Sequence, residues 1–264
     1  MRALALDFDG VISDSAREAF SVALRTFAEI WPASSLARAR PSPDAEPELY
    51  ARFLALMPLG NRAEDYGVAL RAIEAGADLA DQTSYDAFRD AIEPTALRAY
   101  HRRFYEVRKA WATRDPSGWQ REMPPYAPFV ALLRRRAGEA VLAIATSKDH
   151  ASVERLLAGY GIADLVDPRW ILDKEAGVSK RAHLERLAAG LGLPFKDISF
   201  LDDKLNHLEA AAPLGVRCAL AAWGYNGARE RDRARALGYL VCTLEDVEAQ
   251  LFGLEPPRDA RKLR

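Results

Sequence analysis

The sequence predicts an α/β fold: a doubly wound, Rossmann-like parallel sheet core with an inserted all-helical domain. Short apolar runs alternate with helical patterns in the second half of the chain, which is typical of a parallel sheet covered by helices. The stretch between the first two runs contains helical patterns only. We therefore expect an α/β core from 1–14 plus 124–255, a helical domain over 15–123, and a C-terminal tail over 256–264.

Composition limits the classes of function. The chain has 264 residues, of which 49% are hydrophobic and 28% charged, as in ordinary soluble globular proteins. Lys plus Arg total 37 and Asp plus Glu total 38, so the formal net charge is −1. A chain so balanced has no overall field to attract nucleic acid or an anionic membrane. We expect a small-molecule partner, no nucleic acid and no membrane, and the sequence leaves the oligomeric state open.

Targeting and redox signals are absent from the sequence. It contains no apolar stretch of about 18 residues, the length a membrane span needs. The first apolar run ends at Asp7, too early for a secretory signal peptide. Cys218 and Cys242 lie in apolar, strand-like runs, so we expect buried free thiols. A cytoplasmic protein is the resulting expectation.

Apolar patterning predicts the individual elements. Five short runs predict the strands of the core, at 3–6, 140–145, 198–201, 216–220 and 239–241. Two stripes at helical spacing mark the helical domain, one of Phe20, Leu24, Phe27 and Trp31, the other of Leu97, Tyr100, Phe104, Val107 and Trp111. Both stripes are interpreted as core packing. The basic residues along the second helix are interpreted as a solvated face: Arg102, Arg103, Arg108 and Lys109.

An acidic pair follows the first strand directly. Asp7 and Asp9 stand at alternate positions of an extended chain, so both carboxylates point to the same side. Two such carboxylates repel each other unless a cation or a shared proton relieves them. Gly10 then permits a sharp exit turn. A solvated turn from strand to loop is the competing interpretation, because Asp and Gly favour turns.

Further polar residues follow the next strands. Thr146 and Ser147 come after the second run, where a hydroxyl and free N–H groups bind an oxyanion or merely cap a helix. Asp202 and Asp203 come after the third run, and Lys180 precedes the helix that leads into it. The carboxyl ends of parallel strands share one edge of the sheet, where ligands bind. Together these residues suit metal-assisted phosphoryl transfer, with carboxylates for a hard cation and donors for the phosphate.

Four segments in this order now identify a resemblance: DFDGVISDS, LAIATSK, GVSKRAHL and FLDDKLNHLEAA. They resemble the motifs of the haloacid dehalogenase superfamily, and within it the phosphatases with a helical cap after the first motif, such as phosphoglycolate phosphatase and β-phosphoglucomutase. The motifs cover roughly residues 1–20 and 125–220; the cap is matched by position and helical character only. The resemblance implies a Mg²⁺-dependent phosphatase that hydrolyses a small phosphomonoester through an aspartyl-phosphate.

The resemblance also implies roles for the acids. Asp7 would be the nucleophile, and Asp9 would protonate the leaving oxygen and later deprotonate the hydrolytic water. Mg²⁺ would be bound by Asp7, the backbone carbonyl of Asp9 and an acid of the fourth motif. Aligning LEAA of this chain with the family pattern makes Asp203 the main ligand and Asp202 its neighbour.

The phosphoryl oxygens would be held by Thr146, the N–H of Ser147 and Lys180. Lys174 is an alternative to Lys180, which fits the spacing between lysine and helix better. His207 stands where the family more often has a second Asp or Asn. It either hydrogen-bonds an acid of the site or is an exposed helix residue. Val11 replaces the more frequent Thr of the first motif, a tolerable change.

Three other functions remain open. Haloacid dehalogenase chemistry uses the same nucleophile without a cation, and the further acids of the first and fourth motifs argue against it. A phosphomutase would share all four motifs, and a non-catalytic binding protein could keep the fold. Specificity would come from the cap, where Arg62 in the segment PLGNRAEDYG pairs with an anionic substrate group or belongs to a plain inter-helix loop.

Overall fold

The computed structural model describes residues 1–60, 62–173, 175–177 and 179–253. The predicted tail over 256–264 and Lys174 lie outside these described residues. The core contains one six-stranded sheet in which every described pairing is parallel. Its strands are β1 Ala3–Leu6, β2 Val141–Ala145, β3 Ile171–Leu172, β4 Ile198–Asp202, β5 Arg217–Ala221 and β6 Leu240–Cys242. The predicted doubly wound parallel α/β fold is confirmed.

The strand order places a ligand crevice. The order is β3-β2-β1-β4-β5-β6. Strands β2 and β3 extend the sheet on one side of β1, and β4, β5 and β6 extend it on the other. Ala3 aligns with Val141 of β2 and with Ile198 of β4. The winding direction reverses between β1 and β4, and in sheets of this kind ligands bind in a crevice beyond the carboxyl ends of the strands at that point.

The described residues form two compact units, one of 1–14 and 124–253 and one of Ser15–Met123. The helices of the second unit are α1 Ala16–Ile30, α2 Pro47–Leu56, α3 Ala63–Ala75, α4 Gln82–Asp90, α5 Pro94–Arg114 and α6 Pro116–Arg121. The first unit adds α7 Ala127–Arg135, α8 His150–Gly159, α9 Lys180–Leu191, α10 Leu205–Ala211, α11 Ala228–Ala236 and α12 Val247–Phe252.

An aromatic cluster forms the centre of the helical unit. The rings of Phe20 and Phe53 lie 5.4 Å apart, those of Phe53 and Tyr66 5.5 Å, and those of Tyr66 and Phe104 5.4 Å. These separations are within the range of favourable aromatic pairs. Most residues of the two predicted apolar stripes are buried on α1 and α5. The helical unit therefore has a hydrophobic centre of its own.

A buried ion pair joins α1 to α5 in the helical unit. Glu18 has no exposed surface, and Arg108 donates to both of its oxygens at 2.7 Å. Trp119 Nε1 donates to Glu18 at 3.0 Å. The interpretation of Arg108 as part of a solvated basic face was wrong, because its guanidinium donates to the buried Glu18. The sequence gives no sign of this contact, since the two residues are ninety positions apart.

Small side chains let the core helices approach the sheet. All four residues of β1 have no exposed surface, and two of them are alanines. Leu184 and Leu187 of α9 belong to the same buried cluster as Phe200 of β4. This packing fixes the start of α9, and therefore Lys180, relative to the sheet. The two cysteines are buried and free, as predicted. Among the described residues, no helix is both long enough and apolar enough to cross a membrane.

Candidate active site

Two acids meet where the strand order reverses. Asp7 follows β1 and Asp202 ends β4, and the two strands are paired up to Leu6 and Leu201. The N–H of Asp7 donates to the carbonyl of Leu201 at 2.9 Å, which extends the ladder by one residue. Both carboxylates are buried. The crevice that the topology predicts is therefore lined by negative charge.

Lys180 bridges these two acids. Its Nζ lies 2.7 Å from Asp7 Oδ1, 3.2 Å from Asp202 Oδ2 and 2.6 Å from the carbonyl oxygen of Ala145. An ammonium has three N–H donors, so these three acceptors account for all of them. Burial lowers the pKa of Lys180, but the charges of Asp202 and Asp7 outweigh it and the pKa is raised. The lysine is therefore charged at neutral pH.

The three acids of the site have different pKa values. Burial raises the pKa of Asp7 to about 6, although Lys180 opposes the shift. Burial raises the pKa of Asp203 to about 7, with the charges of Asp202 and Asp7 adding to it and Lys204 opposing. Burial acts in the same direction on Asp202, but Lys180 and His207 hold its pKa below the usual range. Burial thus makes the charged forms of Asp7 and Asp203 costly, and a bound cation would favour them.

Asp203 is held in a cradle of backbone. Its Oδ2 accepts the N–H of Tyr225 at 2.7 Å, and its buried Oδ1 has no hydrogen-bond partner in the described part of the chain. A Cβ at Gly10 would lie 2.4 Å from Asp203 Oδ2, and one at Gly224 would lie 2.3 Å from Asp203 Cβ. A buried carboxylate oxygen without a partner is costly unless a cation binds it. The residues present therefore fit a divalent metal.

A second group of side chains, Asp7, Asp202 and His207, is also close enough to share a metal ion. One donor atom each of Asp7, Asp202 and His207 lies within 4.8 Å of the others. His207 Nδ1 is 3.1 Å from both oxygens of Asp202, and the N–H of Lys204 donates to Asp202 Oδ1 at 2.8 Å. Of the two interpretations of His207, the structure shows the hydrogen bond to an acid. Asp202 already accepts from several donors, whereas Oδ1 of Asp203 has no donor among the residues that the structure describes.

The second motif contributes a hydroxyl and an unexpected lysine. Thr146 follows β2 and is buried, and its Oγ1 accepts the N–H of Lys148 at 3.1 Å. Ser147 is exposed. Lys148 is buried, and its Nζ lies 3.2 Å from Asp9 Oδ1. Sequence reasoning missed Lys148, although it directly follows the two hydroxyl residues in LAIATSK.

The structure places Arg62 at the start of a helix. It is the residue before α3, and its Nε lies 3.1 Å from Asp65 Oδ2. Asp65 also accepts the N–H of Arg62 at 3.0 Å and the hydroxyl of Tyr85 at 2.9 Å. The Arg62 side chain is 66% exposed. It belongs to the Ser15–Met123 unit, whereas the other predicted site residues belong to the core.

Comparison with known proteins identifies the family. A model of the haloacid dehalogenase-like hydrolases matches residues 1–215 of this chain. The chain is a haloacid dehalogenase-like hydrolase. The resemblance predicted from the four motifs is thereby confirmed, and so is hydrolase as the class of enzyme. A search of the curated proteins found no match to this hydrolase.

Solved structures share the fold of this haloacid dehalogenase-like hydrolase at low identity. A haloacid dehalogenase-like hydrolase from Streptococcus pneumoniae is 15% identical with a TM-score of 0.63, covering 95% of this chain and 98% of its own. A predicted phosphoglycolate phosphatase from Haemophilus somnus is 16% identical with a TM-score of 0.63, covering 94% and 96%. A family hydrolase from Deinococcus radiodurans, solved with bound phosphate and sodium, is 17% identical with a TM-score of 0.56, covering 98% and 99%.

Proposed function

We propose that this hydrolase is a Mg²⁺-dependent phosphatase that hydrolyses a small phosphomonoester through an aspartyl-phosphate on Asp7. One observation carries the proposal: the buried Asp7 carboxylate contacts the Lys180 ammonium at 2.7 Å, and its charge acts on the buried Asp203, whose Oδ1 has no hydrogen-bond partner among the described residues. A nucleophile, a fixed positive charge and a metal-seeking carboxylate are what phosphoryl transfer needs. The hydrolase from Deinococcus radiodurans, which shares the fold, was solved with bound phosphate and sodium, and this supports binding of an anion and a cation by this fold.

Asp7 would attack the phosphorus atom of the substrate. A lone pair of one carboxylate oxygen forms the new O–P bond, and the bond between phosphorus and the ester oxygen breaks with its electrons leaving on that oxygen. Water then attacks the phosphorus of the aspartyl-phosphate, and the O–P bond to Asp7 breaks. The carboxylate is regenerated and inorganic phosphate leaves.

Asp9 would move the protons of both steps. It gives a proton to the departing ester oxygen, and the resulting carboxylate takes one from the attacking water. The ammonium of Lys148, 3.2 Å from Asp9 Oδ1, restricts where that carboxylate can point. The proton therefore returns to Asp9 after each turnover, and the enzyme is unchanged.

Charge neutralisation would come from a metal and from donors. Asp7, the backbone carbonyl of Asp9 and Asp203 would hold Mg²⁺, with Asp202 beside them. When bound, the ion offsets the repulsion between an anionic nucleophile and an anionic phosphate. Asp203 is suited to this by its vacant, buried Oδ1.

The phosphoryl oxygens would be held by the residues after β2 and by Lys180. Thr146 supplies its hydroxyl and Ser147 its N–H, at the turn that leads into α8. All three N–H groups of Lys180 already donate. The N–H that faces Asp7 would therefore donate to a phosphoryl oxygen as well, in a bifurcated hydrogen bond. The positive charge of Lys180 thereby stabilises the Asp7 carboxylate before the attack and the phosphoryl group during it.

Substrate choice would come from the helical unit, acting as a cap. Arg62 would pair with an anionic group of the substrate through the exposed part of its guanidinium, while Asp65 holds its Nε. Bidentate contacts of arginine with carboxylate or phosphate are strong and directional. The role of Asp65 and Tyr85 is then to hold the arginine in place.

A phosphate-release screen tests the proposal. The purified protein is incubated with sugar phosphates, phosphoglycolate and nucleotides, with Mg²⁺ and with EDTA. Release of phosphate from at least one ester with Mg²⁺ alone is expected. Chloride release from 2-haloacids in EDTA would instead assign the dehalogenase reaction, and isomerisation of a sugar phosphate without release would assign a mutase. No turnover across the panel would favour a binding protein.

A further inference from the structure

The carboxylate of Asp202 is held by three donors, one from α9 and two from the start of α10. Lys180 Nζ lies 3.2 Å from Oδ2, the N–H of Lys204 donates to Oδ1 at 2.8 Å, and His207 Nδ1 lies 3.1 Å from both oxygens. The carboxylate has no exposed surface, so water does not compete for it. A buried carboxylate with this many donors has one favourable orientation.

The position of the proton on His207 follows from this contact. A carboxylate only accepts hydrogen bonds, so Nδ1 of the imidazole carries the proton that points at Asp202. Using Nδ1 in this way removes it as a metal ligand. The side chain of His207 is 32% exposed, whereas that of Asp202 has no exposed surface.

Asp202 in turn fixes one of the three hydrogen bonds of Lys180. The other two acceptors are the carbonyl of Ala145, which belongs to β2, and Oδ1 of Asp7. Because an ammonium is tetrahedral, the position of one acceptor constrains the other two. If Asp202 loses a donor, its negative charge is less compensated and draws the ammonium away from Asp7.

We propose that His207 is a positioning residue: through Asp202 it fixes the Lys180 ammonium against Asp7, and it does not bind the metal. The inference rests on the proposed function, in which Asp7 is the nucleophile and Lys180 its partner. It explains why the fourth motif contains His207, whose imidazole contacts Asp202, the acid that is not the main metal ligand. The histidine supplies a donor to the acid, and the acid places the lysine.

A matched pair of substitutions separates the donor from the shape of the side chain. Asn carries a donor nitrogen at the same distance along the side chain as Nδ1 of histidine, so His207→Asn keeps the donor. His207→Leu keeps a branched side chain of similar length and removes the donor. Since His207 is partly exposed, both variants should fold, which circular dichroism verifies.

The first readout needs no substrate. The ammonium resonance of Lys180 is recorded by ¹⁵N–¹H spectroscopy and assigned by its absence in Lys180→Met. The wild type and His207→Asn should show it, and hydrogen exchange in His207→Leu should be roughly tenfold faster, the size expected for losing one hydrogen bond to a buried charge. An undetectable wild-type resonance, or an unchanged one in His207→Leu, overturns the proposal.

The second readout is binding of Mn²⁺, followed by electron paramagnetic resonance. The dissociation constants of the three proteins should agree within about twofold, because His207 is not a ligand in this account. Weaker Mn²⁺ binding by His207→Leu with an unchanged Lys180 resonance overturns the proposal and makes His207 a metal ligand. If the wild type hydrolyses no phosphoester, the proposed function fails, while the resonance still decides the role of His207.

Discussion

Replacing Gly10 by alanine tests whether the backbone around Asp203 shapes a metal site. Gly10 has φ of +82°, a conformation that costs an alanine about 1–2 kcal/mol. A Cβ there would lie 2.4 Å from Asp203 Oδ2, whereas ordinary contacts begin at 3.4 Å. The carboxylate must therefore move by about 1 Å, and overpacking of this kind adds about 1–3 kcal/mol.

Gly138→Ala is the matched control. Gly138 has φ of +83°, and nothing lies within 4 Å of a Cβ built there. It should lose only the backbone contribution, so Gly10→Ala should be less stable than Gly138→Ala by about 1–3 kcal/mol. Urea unfolding in EDTA measures this difference, and Mn²⁺ titration measures metal affinity. Only Gly10→Ala should bind Mn²⁺ more weakly. Equal stabilities, or wild-type Mn²⁺ affinity in Gly10→Ala, would refute the account of Asp203.

Three further predictions concern the acids of the site, the buried ion pair of the helical unit, and Arg62. Raised pKa values of about 6 for Asp7 and about 7 for Asp203 mean that protons compete with the metal, so Mg²⁺ affinity should fall as the pH drops from 7 to 5. Calorimetry in buffers of different ionisation enthalpy should show proton release on Mg²⁺ binding at pH 6.5; its absence would contradict the shifts. Glu18→Leu removes the buried carboxylate to which Arg108 and Trp119 donate and should cost about 3 kcal/mol in urea unfolding, whereas Glu29→Gln, in an exposed pair with Arg103, should cost much less. Equal effects would argue against the buried pair. Arg62→Ala should raise KM for the true substrate while turnover of a generic phosphoester persists, and an unchanged KM would count against a role in specificity.

The fold was predictable because its signals are local and strong. The run before Asp7 and the run before Thr146 are continuous and apolar, as expected of strands covered on both faces. β3 was missed because it has two residues, Ile171 and Leu172, too few to show a pattern. The other strands begin and end within one residue of their predicted positions.

The site was predictable only in part, because pairing across the fold has no local signal. That Asp7 follows a strand could be read directly, but which of Asp202 and Asp203 faces it could not. Successive side chains of a strand point to opposite sides, so a shift of one residue exchanges their surroundings. In the structure Asp202 contacts Lys180 and His207, whereas Asp203 accepts the backbone N–H of Tyr225.

The covalent step is tested most directly by trapping the phosphorylated residue. The protein is mixed with a substrate found in the screen and Mg²⁺, quenched, and treated with borohydride, which reduces an aspartyl-phosphate to homoserine. Mass spectrometry should then find homoserine at position 7 only, and only with substrate and Mg²⁺. Asp7→Asn, whose site lies at a polar sheet edge, should fold normally and show neither trapping nor turnover. Phosphate release without modification of Asp7, or trapping at another residue, would contradict the account.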